Sequence, residues 1–458
     1  MSISIELRSV IVAAAATLLF SAALQPASVS ADEFHYVNIL IGDRSADMAG
    51  AYTAVSDNAS GCYYNPAGIA FGQGSNLSAS VNGFSYSNKK YKDVMLKTDG
   101  SRLDWDQTSS VLLPNFFGAT YDSPYGTLGM SYAVPDSVQR RQKQRFFDIQ
   151  TKNPTYYISE YDININDVDN QYLFGPSYAV KLSDKFAIGT TLYASYRDST
   201  VIRNGILYLN DATTNNRIGY QWINGYIYRT EWGLKPTIGM IWSPTDKISV
   251  GLTAAQHYLL KTDNLSATTK AENLDISTIS GFPDRTQGRD DTNRDLPMEV
   301  KAGIAYFPSP SLLLSADLSY HNSAGNFDRD VSTIRYTSTD PATRTSYTIN
   351  DEMEPVVNFA VGAEYYLNDR YAMRGGLYTD FANTKKLDFD GLTADRPEHI
   401  DIYGATWSLT RFTRSTSTTL GLGYSFGKGD AQMIATDPKV QQVEVNNLNA
   451  FLSAAYSF

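Results

Sequence analysis

From position 76 to the C-terminus, apolar and polar side chains change places residue by residue. Fourteen segments keep this period of two: 76–87, 110–121, 126–134, 171–181, 186–198, 228–242, 247–258, 296–307, 311–321, 356–367, 371–380, 399–409, 416–426 and 447–458. Side chains of a strand point alternately to its two faces, so the pattern predicts strands with one apolar and one polar face. In the sixth, Trp232, Leu234, Ile238, Met240 and Trp242 share one side, while Glu231, Gly233, Lys235, Thr237 and Gly239 share the other. In the eighth, Met298, Val300, Ala302, Ile304 and Tyr306 oppose Glu299, Lys301, Gly303 and Ala305. The connections alternate too. Residues 182–185, 243–246, 308–310 and 368–370 are short links, whereas those after odd-numbered segments run roughly 18 to 37 residues.

Two architectures accept such strands. In a soluble sandwich the apolar faces meet in a core; in an outer-membrane barrel they meet lipid and the polar faces line a lumen. The alternating connection lengths and the even strand number choose the barrel, with short turns inside the cell envelope and long loops outside. In the last segment Ala450, Leu452, Ala454, Tyr456 and Phe458 share a face and end on an aromatic. This resembles the sorting signal read by the outer-membrane insertion machinery, an expected partner together with outer-membrane lipid and lipopolysaccharide. The expected fold is therefore all-β: a transmembrane antiparallel β-barrel of 14 strands over residues 76–458. Tyr121, Tyr132, Tyr228, Trp242, Tyr258, Tyr306, Tyr320, Tyr365, Tyr371 and Tyr424 fall at strand ends, where amphipathic rings form headgroup girdles.

Composition narrows the function. Among 458 residues, 38 Lys+Arg face 48 Asp+Glu, a formal charge of -10 that excludes a nucleic-acid partner. One cysteine, Cys62, excludes a disulfide framework and a cysteine zinc site. The one long apolar run lies near the N-terminus and is followed by the small residues Val29, Ser30 and Ala31. Residues 1–31 are expected to be a cleaved export signal, and the mature chain is expected in the outer membrane of a Gram-negative-type cell.

Residues 32–75 lack the period of two. They carry the small-residue run Met48-Ala49-Gly50-Ala51, then Asp57-Asn58-Ala59, then Asn65-Pro66-Ala67-Gly68. This stretch resembles the N-terminal hatch of the FadL/TodX family of outer-membrane transporters of long-chain fatty acids and aromatic hydrocarbons. The Asn-Pro-Ala-Gly element is shared with PorV-type relatives, which serve protein secretion. The resemblance implies a fourteen-stranded barrel, a hatch at 32–75 gated around Asn65, Pro66, Ala67 and Gly68, and passive uptake of hydrophobic small molecules, fatty acids first. A secretion partner and a general porin are the alternatives. A plug also makes physical sense, because fourteen strands enclose more space than their side chains fill.

Candidate chemistry is sparse. No motif surrounds His35, His257, His321 or His399, so no catalytic residue is expected. The acidic stretch 162–169 lacks the glycine and the terminal glutamate of a calcium loop, so neither metal nor cofactor is expected. Predicted inward faces carry charges of both signs. Pairing Leu367 with Tyr371 across a short turn sets Glu364 opposite Arg374, and pairing Phe307 with Ser311 sets Lys301 opposite Asp317. Arg197 and Lys235 are the candidates for an unpaired lumen cation that receives a ligand carboxylate, unless the charges only brace the wall. The expected external loop 135–170 holds Phe146, Phe147, Tyr156 and Tyr157. So much apolar surface in water suggests either a groove that collects hydrophobic ligand or a self-packed loop.

Overall fold

The computed structural model describes residues 34–72, 74–151, 153–273, 284–290, 295–324, 329–336, 343–349, 353–387, 398–431 and 440–457. The expected export signal, part of the expected loop 259–295 and the terminal Phe458 lie outside the described residues. The strands, in chain order, are β1 (Asn76–Leu96), β2 (Arg102–Ser123), β3 (Gly126–Gln150), β4 (Tyr156–Ser183), β5 (Phe186–Asp211), β6 (Arg217–Thr245), β7 (Ile248–Ala255), β8 (Tyr258–Asn273), β9 (Asp284–Asp290), β10 (Glu299–Ser309), β11 (Leu312–His321), β12 (Arg329–Tyr336), β13 (Thr343–Ile349), β14 (Val356–Asn368), β15 (Tyr371–Asp380), β16 (His399–Phe412), β17 (Thr416–Ala431) and β18 (Gln441–Ser457). Fourteen of them, β1–β7, β10, β11 and β14–β18, close into one antiparallel barrel. The seam is β1 on β18, from Asn76 opposite Ser457 to Tyr91 opposite Val443. Each of the fourteen alternating segments maps onto one wall strand. The other four strands continue the sheet above the wall in the order β6, β8, β9, β12, β13.

On the long-connection side β1–β6, β17 and β18 run on past the expected ends, whereas β7, β10, β11 and β14–β16 do not. β4 has 28 residues, where crossing a bilayer needs about 9–11. The polarity of the alternation explains the extra length. Near the short turns the outward residues of β4 are apolar, as in Phe174, Tyr178 and Leu182, and the inward ones small or polar, as in Ser177 and Ala179. Higher up, the inward residues are Tyr161, Ile163 and Ile165, and the outward ones Asp162, Asn164 and Asn166. The same period thus serves a barrel in lipid below and a barrel in water above. A row of rings marks the change: Tyr132 stacked on Tyr172 (6.3 Å), Tyr172 stacked on Tyr196 (6.2 Å) and Trp232 tilted against Tyr196 (4.5 Å).

Residues 34–72 form short helical turns, α1 (Arg44–Asp47), α2 (Gly61–Tyr64) and a 3-10 turn (Pro66–Phe71). An irregular segment leaves backbone groups that need partners, and the inward polar side chains of the wall supply them. Thr191 on β5 donates to Cys62 O, Ser249 on β7 to Ala54 O, and Thr406 on β16 to Asp47 O. Asp317 on β11 accepts from the backbone N–H groups of Tyr52 and Thr53. At Gly239 a Cβ would sit 2.1 Å from Asn65 Oδ1, so any side chain there would force Asn65 to move.

Candidate functional site

Glu364 and Arg374 are cross-strand partners on β14 and β15, and Arg374 Nε donates to Glu364 Oε1 at 2.6 Å. Both are buried, and the pair extends into the N-terminal segment. Arg44 Nη2 lies 2.5 Å from Glu364 Oε2 and its Nη1 2.8 Å from Asp57, while Arg374 Nη1 lies 2.8 Å from Asp47. Two guanidiniums and three carboxylates thus join residues 44–57 to the wall. The Asn65-Pro66-Ala67-Gly68 turn is fastened as well. Asn65 Oδ1 accepts from Ala67 N, and its Nδ2 donates to Thr53 O and to Met240 O on β6.

The expected pairing of Lys301 with Asp317 does not form. Lys301 lies opposite Ser319, and Asp317 opposite Gly303. The turn closes between Ser309 and Leu312 after an irregularity, instead of pairing Phe307 with Ser311, and this slides the register by two residues. An even slip keeps every side chain on its face, so both charges still point inward. Lys301 pairs with Glu299 at 2.5 Å. Arg197 and Lys235 are not unpaired cations either. Arg197 binds Asp169 at 2.9 Å and Asp136 at 3.2 Å. Lys235 reaches Glu299 at 3.4 Å and lies over the Tyr63 ring. Opposite charges converge because a buried ion without a partner is costly.

The expected aromatic loop is a hairpin, with β3 continuing to Gln150 and β4 starting at Tyr156. Successive strand residues face opposite ways, so Phe146 and Phe147 cannot line one groove. Phe146 is buried against Trp105 (ring centroids 5.8 Å) and Tyr161 (6.2 Å), whereas Phe147 is 48% exposed. Tyr156 packs at the edge of the same cluster, and the Tyr157 hydroxyl donates to Asn215. With Tyr91, Ile149, Ile163, Leu207 and Val443, Phe146 forms an apolar core inside the tall end of the barrel.

Two cavities of about 120 Å³ each lie in the lumen, both lined in part by residues 35–39. The first is walled by Tyr36, Tyr63, Lys235, His257, Glu299 and His321, with Tyr36 stacked on His321 at 3.6 Å. The second reaches the facing edges of β2, at Thr108, Ser109 and Val111, and β3, at Ser137, Val138 and Arg140. There the wall is broken. β2 and β3 pair from Ser123–Gly126 to Phe116–Ala133 and again at Ser109–Arg140, with no described pair between. β3 also bulges against β4 between Ala133 and Asp136. Outside the break, Leu112 is 74% exposed and Phe84 and Phe117 are exposed. The sequence signal for the break is Pro114 and Pro135, since proline removes a ladder donor and is confined to edges and bulges. Lys89, at the second cavity, binds Glu398 at 2.7 Å. Burial alone would raise the Glu398 carboxyl, but the Lys89 ammonium and the Tyr91 hydroxyl hold it below the usual range.

A family model, Outer membrane protein transport protein (OMPP1/FadL/TodX), matches residues 27–455. The chain belongs to this family. The FadL/TodX proteins are outer-membrane channels for hydrophobic compounds and not enzymes, and this chain is an outer-membrane β-barrel of that kind. Solved structures share the fold. The Pseudomonas putida toluene transporter TodX superimposes with a TM-score of 0.58 at 11% identity, over 91% of this chain and 98% of that one. A Pseudomonas aeruginosa FadL homologue gives 0.55 at 15% identity, over 93% of this chain and 100% of that one. The Ralstonia pickettii toluene transporter TbuX gives 0.54 at 14% identity, over 91% and 98%. A search of curated protein sequences finds no match.

Proposed function

We propose that this channel takes up hydrophobic small molecules passively, with residues 34–72 as a hatch and the break between β2 and β3 as a lateral exit into the membrane. The observation that carries the proposal is the second cavity, which reaches both edges of the break while the flanking outward residues are apolar. A hydrophobic molecule gains about 0.8 kcal/mol per methylene on leaving water, so release into lipid is downhill and release into the periplasm is not. The pairing of Arg197 and Lys235 removes the receptor that a fatty-acid carboxylate was expected to use. The proposal is therefore for hydrophobic molecules as a class, with toluene-like and long-chain compounds both as test substrates.

The test is accumulation of radiolabelled toluene, oleate and 1-monooleoylglycerol by a transporter-deficient host that expresses the chain. Wild type should accumulate at least one of them. Val111→Trp with Val138→Trp, which narrows the break, should lower the rate several-fold. Absence of accumulation by correctly inserted wild type would sink the transport proposal and favour a secretion partner. Full activity of the double variant would sink the lateral route.

A further inference from the structure

The second cavity is an odd chamber for a hydrocarbon. Its inner wall carries a straight row of neutral polar side chains across four neighbouring strands: Ser109 on β2, Ser87 on β1, Asn447 on β18 and Ser425 on β17 are successive cross-strand partners. Neighbouring strands lie ~4.8 Å apart, so the row presents a hydroxyl or amide at each such step. Asn447 Nδ2 donates to Ser425 Oγ at 3.0 Å, and Asn447 Oδ1, buried, has no partner among the described residues. The side chains of Ser87, Thr108 and Asn449 make no hydrogen bond among the described residues either, though all three line the cavity.

The charged residues at this cavity, by contrast, are already engaged. Lys89 holds Glu398 at 2.7 Å, Arg140 holds Asp167 at 3.3 Å, and Asp136 holds Arg197 at 3.2 Å. The Asp380 carboxylate accepts from the backbone N–H groups of Tyr36 (2.9 Å) and Val37 (3.0 Å). A ligand carboxylate placed here would meet Asp136 and Asp380 and no cation free of a carboxylate, which disfavours it. A bare hydrocarbon would strip water from hydroxyls and amides without replacing their hydrogen bonds, at a cost of about 1–3 kcal/mol for each group left unsatisfied.

We infer that the second cavity seats the uncharged, hydroxyl-bearing head of an amphiphile, whose hydrocarbon tail passes through the break between β2 and β3 beside Leu112 into the lipid. The inference rests on the lateral route proposed above and names the substrate class that route carries. Neutral donors and acceptors along the Ser87–Asn447 row meet the hydroxyls. Val111 and Val138 at the mouth of the break meet the first methylenes of the tail.

The test compares three probes that share an apolar character and differ in the head: 1-monooleoylglycerol, oleate at pH 8, and toluene. Binding is measured by calorimetry on the full barrel in lipid nanodiscs, and accumulation in the host described above. Monooleoylglycerol should bind at least about tenfold more tightly than oleate. Ser87→Val with Asn447→Leu, which leaves every ion pair in place, should abolish that preference while the barrel keeps its heat-modifiable migration. Oleate binding as tightly as monooleoylglycerol to wild type would overturn the inference without any variant, as would an unchanged preference in the double variant. If toluene or oleate accumulates and monooleoylglycerol does not, the inference fails and the transport proposal stands. If none of the three accumulates, both fail.

Discussion

Glu364 carries more at the residue scale than its place on the wall foretold. Its carboxylate holds Arg374 on the next strand and Arg44 of the N-terminal segment, and it is fully buried. Glu364→Ala would leave the buried Arg374 guanidinium and the partly buried Arg44 guanidinium short of a partner, and breaking a buried pair costs about 3–5 kcal/mol. The expected outcome is a lower denaturant midpoint, and an unchanged midpoint would mean that Asp47 and Asp57 suffice to hold both arginines. Gly239 offers a sterically cleaner probe. A valine there would drive its Cβ into Asn65 Oδ1, 2.1 Å away, and should unseat the Asn65–Pro66 turn. Higher single-channel conductance of Gly239→Val than of wild type is the expected reading. The cross-strand pairing of Glu364 with Arg374 was legible in the sequence because the ladder keeps the expected register there, although the turn itself closes from Asn368 to Tyr371 after an irregularity. That of Lys301 with Asp317 was not, because the turn lies later in the link than expected, from Ser309 to Leu312, and the register moves by two residues.

The hairpin of β3 and β4 shows at the element scale how one period can mean two things. Alternation alone says which residues share a face, and the solvent outside decides which face is apolar. Below the stacked tyrosines the lipid side is apolar, so Phe174→Arg should cost about 2–4 kcal/mol if it sits near the bilayer midplane and should impair insertion. Asn164→Arg, outward but above the rings, should insert like wild type, as judged by heat-modifiable migration. Trypsin applied to whole cells should spare Arg141, Lys143 and Arg145, whose backbone is paired with β4 opposite Asn166, Asn164 and Asp162. Rapid cleavage at these sites would show a flexible loop in place of the hairpin. The 135–170 stretch looked like a loop because its alternation is reversed in polarity and therefore out of step with the membrane pattern.

For the whole molecule, the lumen is layered: an apolar core at the tall end, two cavities amid paired charges that residues 35–39 help to line, and residues 44–72 nearer the short turns. On the proposed route, ligand moving inward would part the core or pass beside it, and would then meet the break together with residues 37–39, before residues 44–72. Deleting residues 34–72 should therefore raise conductance to water and ions. It should leave the barrel itself closed, because the β1–β18 seam does not involve them. Conductance equal to wild type would mean that this segment does not block the lumen.

The sequence by itself determined the wall. Strand number, closure, the lipid-facing side and the tight-turn end follow from period, connection length and strand parity, all of which are local properties of a chain that must satisfy its backbone in lipid. Tertiary structure alone decided how the lumen is used. Whether Arg197 stays free depends on Asp136 and Asp169, which are remote in sequence and brought near by register and bulges. The break beside Val111, and the row from Ser109 to Ser425, exist only once four strands lie side by side. No spacing along one strand encodes which residues of its neighbours will stand opposite.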